Sequence, residues 1–246
     1  MEFHIKCNPE DISRYVFVPG SHSRAKLIAE HFENCRTVSE TRGYLVYSGT
    51  VDGIFMTVSS TGMGGPTTAI ALEELAHMGG DTFIRVGSCG TSQAYVEVGD
   101  TIIGTGTFRA GGTANNYLPI EFPAVPNYDV TMALVKAAES LKADGRLHRN
   151  FHTGLGSAGD AFYAPKNPAA RELLAQSGIV SGEMESDTLF VIAALRGWRA
   201  GALYASDGNA KETKPEWGED YFRQGERDAI LIGIEGMKAI ARADGV

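Results

Sequence analysis

"IFMTVSSTGMGGPTTAIALEELAHMGGDTFIRVGSCG", residues 54–90, decides the fold. Ile54 to Ser60 reads as a strand. Thr67 to Met78 then places apolar residues at 70, 71, 75 and 78, the recurrence of one helical face. Pro66 stands at the start of that helix and Gly79-Gly80 just past its end, the usual asymmetry of helix termini. Thr82 to Val86 is the next strand, so the stretch predicts a βαβ unit with parallel strands. Its two glycine loops, Gly62-Met63-Gly64-Gly65 and Gly87-Ser88-Cys89-Gly90, fall beyond strand C-terminal ends, where open α/β sheets bind their ligands.

The same alternation runs outward from this unit. Tyr15 to Val18 is a short strand ended by Pro19-Gly20, and Ser21 is the N-cap of a helix reaching Phe32. Gly43 to Gly49 pairs with Ile54 to Ser60 across the Asp52-Gly53 turn. Further on come a strand over Thr101 to Thr107, a helix over Asp129 to Leu141 and a strand over Thr153 to Ser157. Helices over Pro168 to Gln176 and Gly182 to Arg196, a strand over Ala200 to Ser206 and a helix over Glu226 to Arg242 complete the pattern. Strands alternating with helices predict an α/β fold. No linker, low-complexity tract or repeat divides the chain, so residues 1–246 are read as one domain.

With 43% apolar residues the chain can bury a substantial core, and a formal charge of -8 gives no general attraction for nucleic acid or anionic membrane. Any anionic ligand must be held by local arginines. The N-terminus has no apolar leader and no stretch reaches the length of a membrane span, which predicts a cytoplasmic protein. Cys7, Cys35 and Cys89 form no metal or disulfide pattern, and His148 and His152, although four apart, have no third ligand, so no metal is expected.

Four features carry possible chemistry. Gly20 and Arg24 put a guanidinium one helical turn beyond a glycine turn, either solvated or aimed back at the loop. Arg85 ends a strand that should be buried, so it requires a partner, which is either a carboxylate or an anionic ligand. The Gly62 to Pro66 loop fits neither a dinucleotide fingerprint nor a Walker loop; it allows close packing or presents amides to a small ligand. Glu183, Glu185 and Asp207 read as helix-terminal charge and an Asx turn, or as groups that handle hydroxyls and a proton. Cys89 is a tempting nucleophile, but no base stands beside it in sequence.

These stretches also carry a resemblance. "VPGSHSRAKLIAEHF" (18–32), "TRGYLVYSGTVDG" (41–53), "STGMGGPTTAIALEELAHMG" (60–79), "FIRVGSCG" (83–90), "EFPAVPNYD" (121–129), "DAFYAP" (160–165), "GEMESDTL" (182–189) and "YASDGN" (204–209) occur in one order. In that order they resemble the nucleoside phosphorylase family, which includes hexameric purine nucleoside phosphorylases and uridine phosphorylases. The resemblance implies a three-layer αβα sandwich around a central mixed sheet, and phosphorolysis of a nucleoside by inorganic phosphate as co-substrate, with no other cofactor.

By resemblance, phosphate falls to Gly20, Arg24, Arg85 and Ser88, with Arg42 supplied by a neighbouring subunit. Met184 and Glu185 contact the ribose, His4 reaches across a dimer to the 5′ hydroxyl, and Phe162 lies against the base. A homo-oligomer is therefore implied, at least a dimer and by family a trimer of dimers. The phosphate turn, usually Gly-Asp-Pro, is Gly20-Ser21-His22 here; Gly20 and Arg24 stand, so phosphate binding is expected to persist. Uridine phosphorylases carry a Gln and an Arg soon after the Phe-Tyr pair, whereas Phe162-Tyr163 is followed by Ala164-Pro165-Lys166-Asn167-Pro168. Asp207 matches the acid that protonates a leaving purine, with Arg223 as its helper. The sequence thus predicts a purine nucleoside phosphorylase, with uridine phosphorylase as the alternative. A hydrolytic nucleosidase or a non-catalytic nucleoside-binding protein are further alternatives.

Overall fold

The computed structural model describes residues 2–165, 167–208, 216 and 218–246. Nine strands, β1 (Tyr15–Phe17), β2 (Glu33–Thr41), β3 (Tyr44–Val51), β4 (Ile54–Ser59), β5 (Thr82–Cys89), β6 (Thr101–Ala110), β7 (Phe151–Gly159), β8 (Ser181–Glu183) and β9 (Arg199–Ser206), form one sheet in the order β2-β3-β4-β1-β5-β9-β6-β7-β8. The sheet is mixed. β2, β3 and β4 are antiparallel neighbours, β6 runs antiparallel to β9, and the remaining pairs are parallel.

Among the described residues six α-helices, α1 (His22–Ala29), α2 (Gly65–His77), α3 (Tyr128–Ala143), α4 (Pro168–Gln176), α5 (Ser186–Arg196) and α6 (Gly218–Ala243), accompany the sheet. The strands alternate their side chains between two cores, as the two-residue period requires. On β5, Phe83 joins α2 and α5 through Leu72, Leu75, Leu189 and Phe190 on one face. Its neighbour Ile84 joins α1, α3 and α6 through Ile28, Leu134, Ile232 and Met237 on the other. The result is the αβα sandwich that the sequence implied. α4 alone contributes no buried residue and lies outside these layers.

Three readings change. The two strands of the 54–86 unit are parallel but not adjacent, because β1 pairs with both of them. β2 gives no apolar run in the sequence because it is a mostly exposed edge strand with charged residues, a composition that discourages edge pairing. The span 182–196 is not one helix: residues 181–183 pair with β7, and the helix begins only after Glu185, whose φ of -140° breaks the helical path.

Candidate active site

Arg85 has a carboxylate partner and an open donor at once. Its side chain is buried, with Nε donating to Glu183 Oε2 at 3.0 Å and one terminal nitrogen donating to Glu185 Oε2. The guanidinium lies over the Tyr204 ring, 6.0 Å from its centroid. Gly87 makes this possible: a Cβ there would stand 2.9 Å from Tyr204 and 3.0 Å from the guanidinium. The other terminal nitrogen, Nη1, is buried without a hydrogen-bond partner. A buried charged donor left unpaired is costly, so this nitrogen marks where an acceptor belongs.

The glutamates reach Arg85 because the end of β5 is tied to β8 by reciprocal backbone bonds between Gly90 and Gly182, at 3.1 and 2.8 Å. Glu183 has no spare capacity: beyond Arg85 it accepts from the Glu185 and Ser186 amides and from Ser186 Oγ, capping α5. Glu185 bridges two loops. Its Oε1 accepts the Gly64 amide at 2.5 Å, while Oε2 receives Arg85. Gly64 sits at φ +94°, open to glycine and strained for other residues, and a Cβ on Gly65 would fall 2.7 Å from the Thr113 and Thr188 hydroxyls. The glycine loop is therefore close packing and amide presentation together.

Arg24 enters from α1. Ser21 caps that helix by accepting the Arg24 amide, and the Arg24 Nε donates to Glu226 Oε1 of α6 at 2.7 Å, both side chains being largely buried. His22 meets the carbonyl of Gly43 at 2.6 Å, so the departing turn sequence still forms a capped, anchored helix start. Gly20 lies between: a Cβ on it would be 3.3 Å from the Gly62 carbonyl and 3.8 Å from Arg85 Nη1. The lack of that Cβ leaves a small polar niche beside the orphaned nitrogen.

These groups line a cleft of about 1100 Å³. Gly20, Arg24, Arg85, Ser88, Phe162, Met184, Glu185 and Asp207 all border it. His4, Arg42 and Arg223 do not. His4 donates its amide and presents Nδ1 to Glu74, and Arg42 lies 5.2 Å over the ring of Phe3, which is 70% exposed. Arg223 is 64% exposed on α6 and pairs with Glu219 one turn away, so the structure gives Asp207 no help from it. Two further groups have no site role in the sequence reading, one paired with Arg24 and one bordering the cleft. Glu226 holds Arg24 from 202 positions away, beyond the reach of any local pattern. Arg171 borders the cleft from α4, where a helical face that could have been read from spacing carries it.

The electrostatics separate chemistry from packing. Burial, then the nearby Asp207 and Glu183 charges, push the Cys89 thiol well above its usual range, which makes it a packing residue and no thiolate nucleophile. His148 and His152 each bind a different buried aspartate, Asp228 and Asp100, and no group of three metal-ligating side chains occurs among the described residues. No helix among them is long and apolar enough to cross a membrane.

Comparison with known proteins agrees with this geometry. A family model described as the phosphorylase superfamily matches residues 14–230. A uridine phosphorylase of Thermococcus kodakarensis is 39% identical, covering 99% of this chain and 88% of its own. A guanosine phosphorylase of Halorubrum lacusprofundi is 36% identical over 84% of this chain and 83% of its own. The crystal structure of a uridine phosphorylase from Vibrio fischeri superposes with a TM-score of 0.86 at 27% identity, covering 94% of each chain. The purine expectation is thereby corrected: the nearly full-length match and the structural match are both uridine phosphorylases, and Arg223, the supposed helper of a purine acid, faces solvent. α4, which begins at Pro168, contributes Arg171, Leu174 and Ala175 to the lining of the cleft.

Proposed function

Because the chain belongs to the phosphorylase superfamily, within its nucleoside phosphorylases, we propose that it is a uridine phosphorylase, which converts uridine and inorganic phosphate to uracil and ribose 1-phosphate. The observation that carries the reading is the orphaned Arg85 Nη1 facing the Gly20 niche, in a cleft that also holds Arg24 and Ser88. A phosphate oxygen there satisfies the buried donor, and guanidinium geometry suits phosphate. Glu185, fixed by Arg85 and the Gly64 amide, is placed to accept hydrogen bonds from sugar hydroxyls, with Met184 beside it. Phe162 offers its ring to the base. As the glycosidic bond breaks, positive charge develops on the sugar, and the bound phosphate stabilises it while attacking C1′.

Charge supports a homo-oligomer. Arg24 and Arg85 are paired with three carboxylates, Glu183, Glu185 and Glu226, so with these ionised that ion-paired cluster carries one net negative charge before phosphate arrives. A second subunit supplying Arg42 repairs that deficit, and Arg42 sits with His4 and exposed Phe3 on a surface outside the cleft, as such a contribution needs.

The deciding experiment follows uracil release from uridine with and without phosphate. Release that requires phosphate and yields one ribose 1-phosphate per uracil is expected. Equal release without phosphate means hydrolysis, and no release from uridine removes the assignment.

A further inference from the structure

β6 and β7 end side by side at Ala110 and Gly159, and the segments that leave them differ in support. Past β7, Ala161 and Phe162 border the cleft, yet Phe162 is 60% exposed and belongs to neither core. Past β6 runs a loop, residues 111–122, that the buried Arg109 builds. Its Nη1 donates to the carbonyls of Pro119 and Phe122, both at 2.6 Å, and its Nη2 to the Leu118 carbonyl and Asn115 Oδ1, both at 2.8 Å.

Asp160 joins the two segments. Its Oδ2 accepts the Gly112 amide at 2.6 Å. Gly111 permits that approach, because a Cβ there would stand 2.9 Å from Asp160 Oδ1. Thr113, on the same loop, reaches the sugar end of the cleft: a Cβ on Gly65 would fall 2.7 Å from its hydroxyl, and the amide of the preceding Gly64 is held by Glu185. The arginine-built loop thus stands as a spacer between Glu185 and the segment that carries Phe162. Asp160 itself is not among the residues that border the cleft.

Resting on the uridine phosphorylase reading, we propose that Asp160 is a positioning residue: its bond to the Gly112 amide sets where Phe162 stands relative to Glu185, and so how the nucleoside is held while phosphate attacks. A carboxylate that accepts from an amide makes a charge-assisted bond, a strong single anchor for a short segment. Placement matters because the rate depends steeply on alignment of the reacting atoms, and a shift of about 1 Å costs about 100-fold. The phosphate end is built without Asp160, since Arg24 and Arg85 are held by Glu226, Glu183 and Glu185. The effect of Asp160 therefore falls on the nucleoside.

Asp160→Ala tests this, with Asp160→Asn as the variant that keeps an acceptor oxygen for the Gly112 amide. The alanine variant should lose about 10- to 100-fold in kcat/KM for uridine while its KM for phosphate stays within about twofold. The asparagine variant, with a weaker neutral bond in the same place, should come within about fivefold of the wild type. An unchanged kcat/KM in Asp160→Ala, equal damage to both substrates, or an asparagine variant as poor as the alanine one overturns the proposal. Hydrogen exchange read by mass spectrometry gives a measure independent of turnover. In Asp160→Ala the peptides covering 111–116 and 160–164 should exchange faster and those covering 85–90 should not; unaltered exchange there, or an equal rise throughout the chain, overturns the inference. A wild type that fails to cleave uridine refutes the assigned reaction, and the exchange comparison then still decides whether Asp160 holds the Phe162 segment.

Discussion

Replacing Asp187 by Asn should stabilise the protein at neutral pH and do so less as the pH falls. Asp187 lies in the first turn of α5, only 1% exposed. Its Oδ1 accepts from the Thr188 amide at 2.6 Å and from the Thr188 hydroxyl at 3.2 Å, whereas Oδ2 is buried without a hydrogen-bond partner. A Cβ on Gly111 would stand 2.8 Å from that Oδ2 and 2.9 Å from Asp160 Oδ1, so two carboxylates crowd one small residue. Burial, with the Glu183 charge adding to it, raises the Asp187 carboxyl from 3.8 to about 6. A helix N-terminus ordinarily favours a carboxylate, and here desolvation outweighs it.

The sign follows from proton binding. Between these two pH values the folded state holds a proton that the unfolded chain has lost, so stability declines as the pH rises and levels off above about 6. At about 1.4 kcal/mol for each pH unit, the full effect is about 3 kcal/mol. Asn keeps the Oδ1 acceptor and removes the ionisation. Urea unfolding of both proteins from about pH 4 to pH 8 should show an advantage for Asp187→Asn that grows with pH to about 1–3 kcal/mol and then stays flat. A gap that is constant across the range, or that widens toward acid, would refute the reasoning.

Two further outcomes concern the phosphate end. Arg24→Gln should raise the KM for phosphate by about tenfold or more through loss of a charged contact, and should destabilise the fold by stranding Glu226. The double change with Glu226→Gln should recover stability without recovering phosphate affinity; recovery of both would make Arg24 a purely structural residue. Cys89→Ser should keep turnover within about twofold, because its thiol is buried and held protonated; a folded but inactive variant in initial-rate assays would return Cys89 to the chemistry.

The features that the sequence displays best are those whose cause is local. The spacing of apolar residues in α2, the Ser21 cap, the Asp52-Gly53 turn and the run of Val and Ile in the inner strands follow from backbone propensity and from a face that must be buried. β2 escaped because an edge strand buries little, and β8 because three residues carry no period. In the site, Arg85 announced itself as a charge at the end of an apolar strand, beside Gly87, whose missing side chain makes room for it.

Which of two partners Arg85 takes lay beyond the chain's local pattern, and the fold answers that it takes both: Glu183 and Glu185, about a hundred positions away, hold two of its nitrogens and leave the third open. Glu226, 202 positions from Arg24, belongs to the same class. A residue's meaning in the cleft depends on which side chain from a distant element stands within about 3 Å, and hydrogen bonds are too short-ranged for spacing along the chain to encode that distance. Sequence alone therefore determined the α/β layers, the family and the strand-end position of the cleft. Only the tertiary structure decided which charges are already paired with each other and which donor, Arg85 Nη1, is left open.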